Sequence, residues 1–213
     1  MTIAHIESVG PAVHHDPPEV VAQRQLLGVW LLIAGDAVIV GSLLFTYLYL
    51  RGLNTQKQWM PAGVHGASLV LSWGLVAVTA LSALAVWSGE QSIRRGKKDA
   101  VSMALVAAVL ALAASAIGVA QLAQIPHALN STSGVRQIAG SYASSLLALD
   151  MSNLAHLVLL AFLGLAVAVR VGRGATSAQA WTHARFVRIF WVWVASAIGA
   201  SAVVTTLFVN SPH

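Results

Sequence analysis

Few residues in this chain could do chemistry in an apolar setting, and Asp36 is the first of them. It lies in LLGVWLLIAGDAVIVGSLLFTYLYLR, Leu26 to Arg51, a run otherwise apolar over the length a helix needs to cross a bilayer. Roughly ten residues in, at about 1.5 Å of rise per residue, it is some 15 Å deep, near the midplane. An ionised Asp there costs on the order of 2.5–3.5 kcal/mol on insertion scales. A helix keeps such a residue by neutralising it, pairing it, or turning it toward protein or water. Two uses stand open: a proton-handling or subunit-contact carboxyl, or a neutral, hydrogen-bonded packing residue. Tyr47 follows about three turns later and shares its face, as does Val40. Arg51 closes the run and is expected to snorkel to headgroups.

Asp150, Asn153 and His156 form a second group, spaced by three along one side of a helix. Asp150 is expected about 8 Å inside the outer edge of its span, within reach of water, with the other two deeper. Such a strip needs a partner helix, a lipid headgroup or water, and plain interhelical hydrogen bonding serves as well as a functional role. Gln121 and Gln124 mark the wet end of another apolar run. His156 is the one histidine well inside a span, whereas membrane haem and copper sites need several at matched depth. His5, His14 and His15 lie in a polar tail and lack fixed geometry, so no metal ligand is expected. The chain has no cysteine, which excludes disulfides, thiolate metal sites and thiol catalysis. It has no phosphate loop, nucleophile elbow or zinc motif, so no catalytic residue is expected.

The elements that must position these residues are apolar spans. The 213 residues are 57% hydrophobic and only 9% charged, against about 25% charged in a soluble domain. Hydropathy predicts an all-α polytopic membrane protein with spans at about 26–50, 65–87, 100–122, 145–169 and 189–209. These form a single domain, 26–210, after a polar tail, 1–25. Pro17 and Pro18 forbid a helix across that point, and the tail has no apolar core for a cleavable signal. Gly28, Gly35 and Ser42 recur every seven residues, a small-residue stripe that lets a neighbouring helix approach. Ser68, Ser72, Thr79 and Ser82 can bond backbone or a neighbouring helix, and His65 is read as interfacial. Asn130-Ser131-Thr132 matches a glycosylation pattern that is frequent by chance.

The net charge of +5 is a topology signal, not a nucleic-acid footprint. Arg24, Arg94, Arg95, Lys97, Lys98, Arg170, Arg173, Arg185 and Arg188 fall on one side, and Arg51, Lys57 and Arg136 on the other. Nine against three predicts a cytoplasmic amino terminus and an outside carboxyl terminus.

In order, these residues resemble subunit III of the haem–copper oxidases in its five-helix bacterial form. That family's first span reads G-x-W-x-F-x-x-S-E, then an aromatic-rich run ending in Y-x-x-x-R. Here Gly28, Trp30, Gly35 and Asp36 are followed by Tyr47 and Arg51, with Asp36 on the family's buried carboxylate. Trp59 and Pro61 resemble the W-P-P loop that follows. Gln121 matches the first residue of Q-x-x-E, and Gln124 replaces the acid. Tyr142, Ala143 and Ser144 are in register with Y-G-S. In the H-x-x-H that follows, Asn153 replaces the first His and His156 matches the second. The final W-H-F-V-D is missing: Phe190, Trp191, Val192 and Trp193 stand there without the His or Asp. The resemblance spans nearly the whole chain and marks a divergent member.

The resemblance implies a non-catalytic subunit of an aerobic respiratory cytochrome c or quinol oxidase in the bacterial plasma membrane. It would bind beside subunit I, with subunit II and other respiratory-complex subunits as partners, and support proton uptake. Haem and copper would belong to the partner subunits, and this chain would hold none. Family members hold phospholipid in a cleft between the first two spans and the remaining three, a proposed oxygen route. Asp36 would face that cleft or the subunit I contact, with Tyr47, Arg51, Gln121, Asp150, Asn153 and His156 as same-face or cleft contacts. A second class is a proton-coupled transporter, against which stands the lack of an inverted repeat or Gly/Pro-broken helix pair. A third is an accessory or assembly factor of another terminal oxidase or a nitric oxide reductase.

Overall fold

The computed structural model describes residues 17–53, 59, 66–97, 99–130, 140–173 and 177–208. Five helices follow one another: α1 (Pro18–Gly52), α2 (Leu69–Arg94), α3 (Ala100–Asn130), α4 (Gly140–Gly172) and α5 (Ser177–Leu207). Each is long and apolar enough to cross a membrane, and no strand occurs among the described residues. Their order follows the predicted spans, but the helices outrun the apolar windows. α1 takes in residues assigned to the tail, because Pro18 stands in its first turn, where the missing N–H costs no bond. Glu19 in that turn and Arg51 in the last complement the helix dipole. Likewise α5 takes in most of the basic segment 177–188, since a helix there satisfies its backbone whatever its side chains. His5, His14, His15, Pro61, His65, Ser131 and Thr132 lie outside the described residues.

Local signals set the turn between α2 and α3. Ser68 caps α2 by accepting from Leu71 N–H. At the far end Gly96 takes φ +64°, the left-handed region that favours glycine. Gly96 N–H then bonds the Ile93 carbonyl and Lys97 N–H the Ser92 carbonyl, the paired closure that stops a helix sharply. α3 starts at once and runs back antiparallel, with Ser82 facing Ala107 and Ser72 facing Gln121.

Helices α2, α3, α4 and α5 close a ring in which each packs on two neighbours, α2 on α3 and α5, and α4 on α3 and α5. Small residues let the backbones approach. A Cβ added at Gly164 would stand 3.1 Å from Ala108 Cβ and 3.1 Å from the Trp191 ring. Trp191 is fully buried and donates its indole N–H to Ser82 Oγ, which in turn donates to the Ala107 carbonyl. This plug, with Leu157, Leu160, Val194 and Ile198, is the core of the bundle.

α1 stands outside the ring, against α4 and α5. Its inward residues repeat in alternating steps of four and three: Ala22, Leu26, Val29, Ile33, Asp36, Val40, Leu43, Tyr47 and Leu50. That is the seam of a helix packed at a shallow angle, and it puts Val40 and Tyr47 on the face of Asp36, as expected. Two expectations need correction. The small-residue stripe does not receive a helix of this chain, since a Cβ at Gly28 or Gly35 would meet nothing within 4 Å. The boundary in the bundle also falls elsewhere, because Ser72, Thr79, Ser82 and Gly89 turn α2 into the ring. The groove therefore runs between α1 and α4, a space of about 370 Å3 lined by Leu43, Thr46, Leu50, Ser141, Ser144 and Ser145.

Candidate functional site

Asp36, His156 and Trp193 each fall near the middle of their helices, α1, α4 and α5. α4 runs antiparallel to the other two, so midpoint meets midpoint. The result is a clasp around one carboxylate. His156 Nε2 is 2.9 Å from both Asp36 oxygens. Trp193 donates its indole N–H to Asp36 Oδ2 at 2.6 Å. The other imidazole nitrogen, Nδ1, is 2.6 Å from the Ser152 carbonyl. The Phe190 ring lies beside the imidazole, 6.4 Å between centroids. The His156 and Asp36 side chains are 13% and 17% exposed.

This geometry fixes the proton inventory. A carbonyl only accepts, so Nδ1 carries a hydrogen. Nε2 then either carries a second hydrogen or presents a lone pair to Asp36. A lone pair facing a carboxylate would repel it and leave a net negative charge in an apolar bundle. One proton therefore lies between His156 and Asp36, on the ring as an ion pair or on the acid as a neutral pair. Either way the pair is neutral overall, which removes most of the penalty for an acid at this depth. Trp193 steadies the negative oxygen in the first arrangement and accepts no proton in either. The arrangement can hold a single proton between two groups. Among the described residues no group of three or more His, Asp or Glu side chains is placed to share a metal ion.

The expected strip on α4 does not act as one site. Each step of three residues turns the helix by about 60°, so six residues swing round by about 120°. His156 meets α1, while the Asn153 side chain meets Ser201 on α5 at 3.5 Å. Asp150 faces a small cavity shared with Ser72, Gln121, Asn153, Ser201 and Thr205. It is buried, 8% exposed. α4 begins at Gly140, so Asp150 is a further turn inside the helix, with α2, α3 and α5 around it. Gln121 is buried too, donating its amide N–H to Ser72 Oγ at 2.9 Å.

Tyr47 joins an aromatic cluster at the far end of the seam. Its ring meets Trp59 edge-on at 5.2 Å, and Trp59 meets Tyr142 at 5.4 Å. The Tyr142 hydroxyl accepts from Ala67 N–H. Arg51 does not only reach outward: its guanidinium lies over the Phe208 ring, 5.7 Å from the centroid.

Two functional groups escaped sequence reasoning. Trp193 stands in the sequence only where the resembled family's final motif is missing, although a buried indole N–H needs an acceptor and Asp36 needs a donor. Glu90 lies beyond the second expected span, which ends at about 87, yet its side chain is 4% exposed and is bonded by Arg188 Nε. Its signal was an acid on the same α2 face as Ser72, Thr79 and Ser82. No protein-family model matches the chain, and no curated protein does.

Proposed function

We propose that this chain is a non-catalytic subunit of the subunit III kind, bound beside the haem- and copper-carrying subunit I of an aerobic bacterial terminal oxidase. The observation that carries this reading is the contact between Asp36 and His156. Each matches a motif position independently of the other, in spans one and four, 120 residues apart. A chance match in either motif gives no reason for the two side chains to meet. Tyr47, Trp59 and Tyr142, matched to three further motif positions, also converge in one cluster.

In this role the shared proton of the Asp36–His156 pair serves proton supply to the partner. The groove between α1 and α4 suits a lipid acyl chain, apolar at Leu43 and Leu50 and hydroxyl-rich at Ser141, Ser144 and Ser145. The basic residues support an amino terminus in the cytoplasm and a carboxyl terminus outside. The exposed apolar face of α1, with Trp30, Leu31, Val38 and Phe45, is available to lipid or to subunit I. The five spans are continuous helices, without the unwound mid-membrane backbone on which secondary transporters build substrate sites.

Purification in mild detergent tests the reading. Co-purification with a haem-bearing subunit, identified by its spectrum and by mass spectrometry, is expected. Isolation of the chain alone, with ion flux after reconstitution into vesicles, overturns it in favour of a transporter.

A further inference from the structure

Asp150 and Gln121 are both more than nine-tenths buried, and each has a polar group left over. Gln121 uses its N–H on Ser72, and its Oε1 is fully buried without a hydrogen-bond partner among the described residues. Among the described residues the Asp150 carboxyl makes no hydrogen bond and has no cation beside it. Both line the same cavity, which gives a water-sized molecule about 10 Å3 in which to place its centre. That is room for a single water.

Polar groups of both kinds line the cavity. The Ser201 and Thr205 hydroxyls donate to the Ala197 and Ser201 carbonyls of their own helix and so turn lone pairs to it. The Ser72 hydroxyl and the Asn153 amide also line it and carry hydrogens. The Gln121 oxygen accepts and needs an occupant that brings a proton. An ionised Asp150 would put an uncompensated charge in an apolar bundle, the costliest choice. A bare monovalent cation would neutralise it, but Leu75, Ile198 and Ala202 supply it no side-chain oxygen on their side of the wall.

We infer that this cavity holds one water molecule that bridges Gln121 Oε1 to Asp150 in its neutral acid form. It is a second proton-holding site, six residues along α4 from His156 and so about 9 Å away along the axis. It uses different side chains from the Asp36 clasp and does not depend on the oxidase reading.

Infrared spectroscopy of the full chain in lipid nanodiscs tests it. The sequence has four aspartates, Asp16, Asp36, Asp99 and Asp150, so labelling aspartate with 13C at the carboxyl isolates a small set of bands. A protonated-acid carbonyl band is expected in the wild type, lost in Asp150→Asn and shifted after transfer to D2O. An unchanged spectrum in Asp150→Asn overturns the assignment, and a band that ignores D2O overturns the water. Loss of the band on exchanging choline for sodium overturns the proton in favour of a cation. Gln121→Leu keeps the carboxyl and removes the acceptor of the water, so it serves if Asp150→Asn does not fold. Its acid band should persist at higher frequency, and an unmoved band refutes the bridge.

Discussion

Replacing Asp36 by Ala and by Asn separates the two things the clasp does. Alanine removes the acceptor for both Trp193 and His156 and strands two polar groups in an apolar interior. Each stranded group costs about 1–3 kcal/mol in mutational data. Interhelical hydrogen bonds in membranes run lower, about 0.6 kcal/mol on average and up to about 1.7. Charge assistance roughly doubles a bond's strength, so Asp36→Ala should cost about 2–4 kcal/mol. Asn at the same place keeps both contacts without charge: its carbonyl accepts from Trp193 and its amide donates to the His156 Nε2 lone pair. Asp36→Asn should therefore cost under about 1 kcal/mol while abolishing the shared proton. In the double variant Asp36→Ala/His156→Ala the two losses overlap, with a coupling of about 1–3 kcal/mol, within the range for directly bonded residues. Reversible unfolding in mixed micelles, followed by circular dichroism, gives the free energies of the wild type, Asp36→Ala, Asp36→Asn, His156→Ala and the double variant. Additivity within about 0.5 kcal/mol, or Asn as damaging as Ala, would refute the shared-proton argument.

Trp193→Phe keeps the ring and removes one donor to a charged oxygen, so the same assay should show a loss of about 1–3 kcal/mol. The Glu90–Arg188 pair should respond unevenly. Arg188→Met leaves a buried carboxylate alone and should cost about 3–5 kcal/mol, whereas Glu90→Gln leaves a cation that is already 30% exposed and should cost less. Gly164→Ala forces a methyl to 3.1 Å from Ala108 and Trp191 and should cost about 1–3 kcal/mol. Gly35→Ala enters open space and should change the isolated chain by less than about 0.5 kcal/mol. If Gly35→Ala nonetheless weakens retention of a haem-bearing partner in pull-down, the open face of α1 is the docking face.

Sequence alone determined the five spans, the place of Asp36 near the middle of the first and the shared face of Val40 and Tyr47. Those depend on hydropathy and on the helical repeat, which are local properties. It also placed Asp150, Asn153 and His156 on one helix in the right order. Only the tertiary structure decided which helix each of them meets. Lipid and protein interior are equally apolar, so hydropathy does not say which face of a span is covered. The glycine stripe of α1 and the serine stripe of α2 therefore look alike in sequence, although one is bare and the other lines the ring. Asp36 finds His156 and Trp193 at separations of 120 and 157 residues because three helix midpoints coincide. The burial of Asp150 and Glu90 has the same origin: a carboxyl's surroundings are set by the neighbouring helices, not by its own.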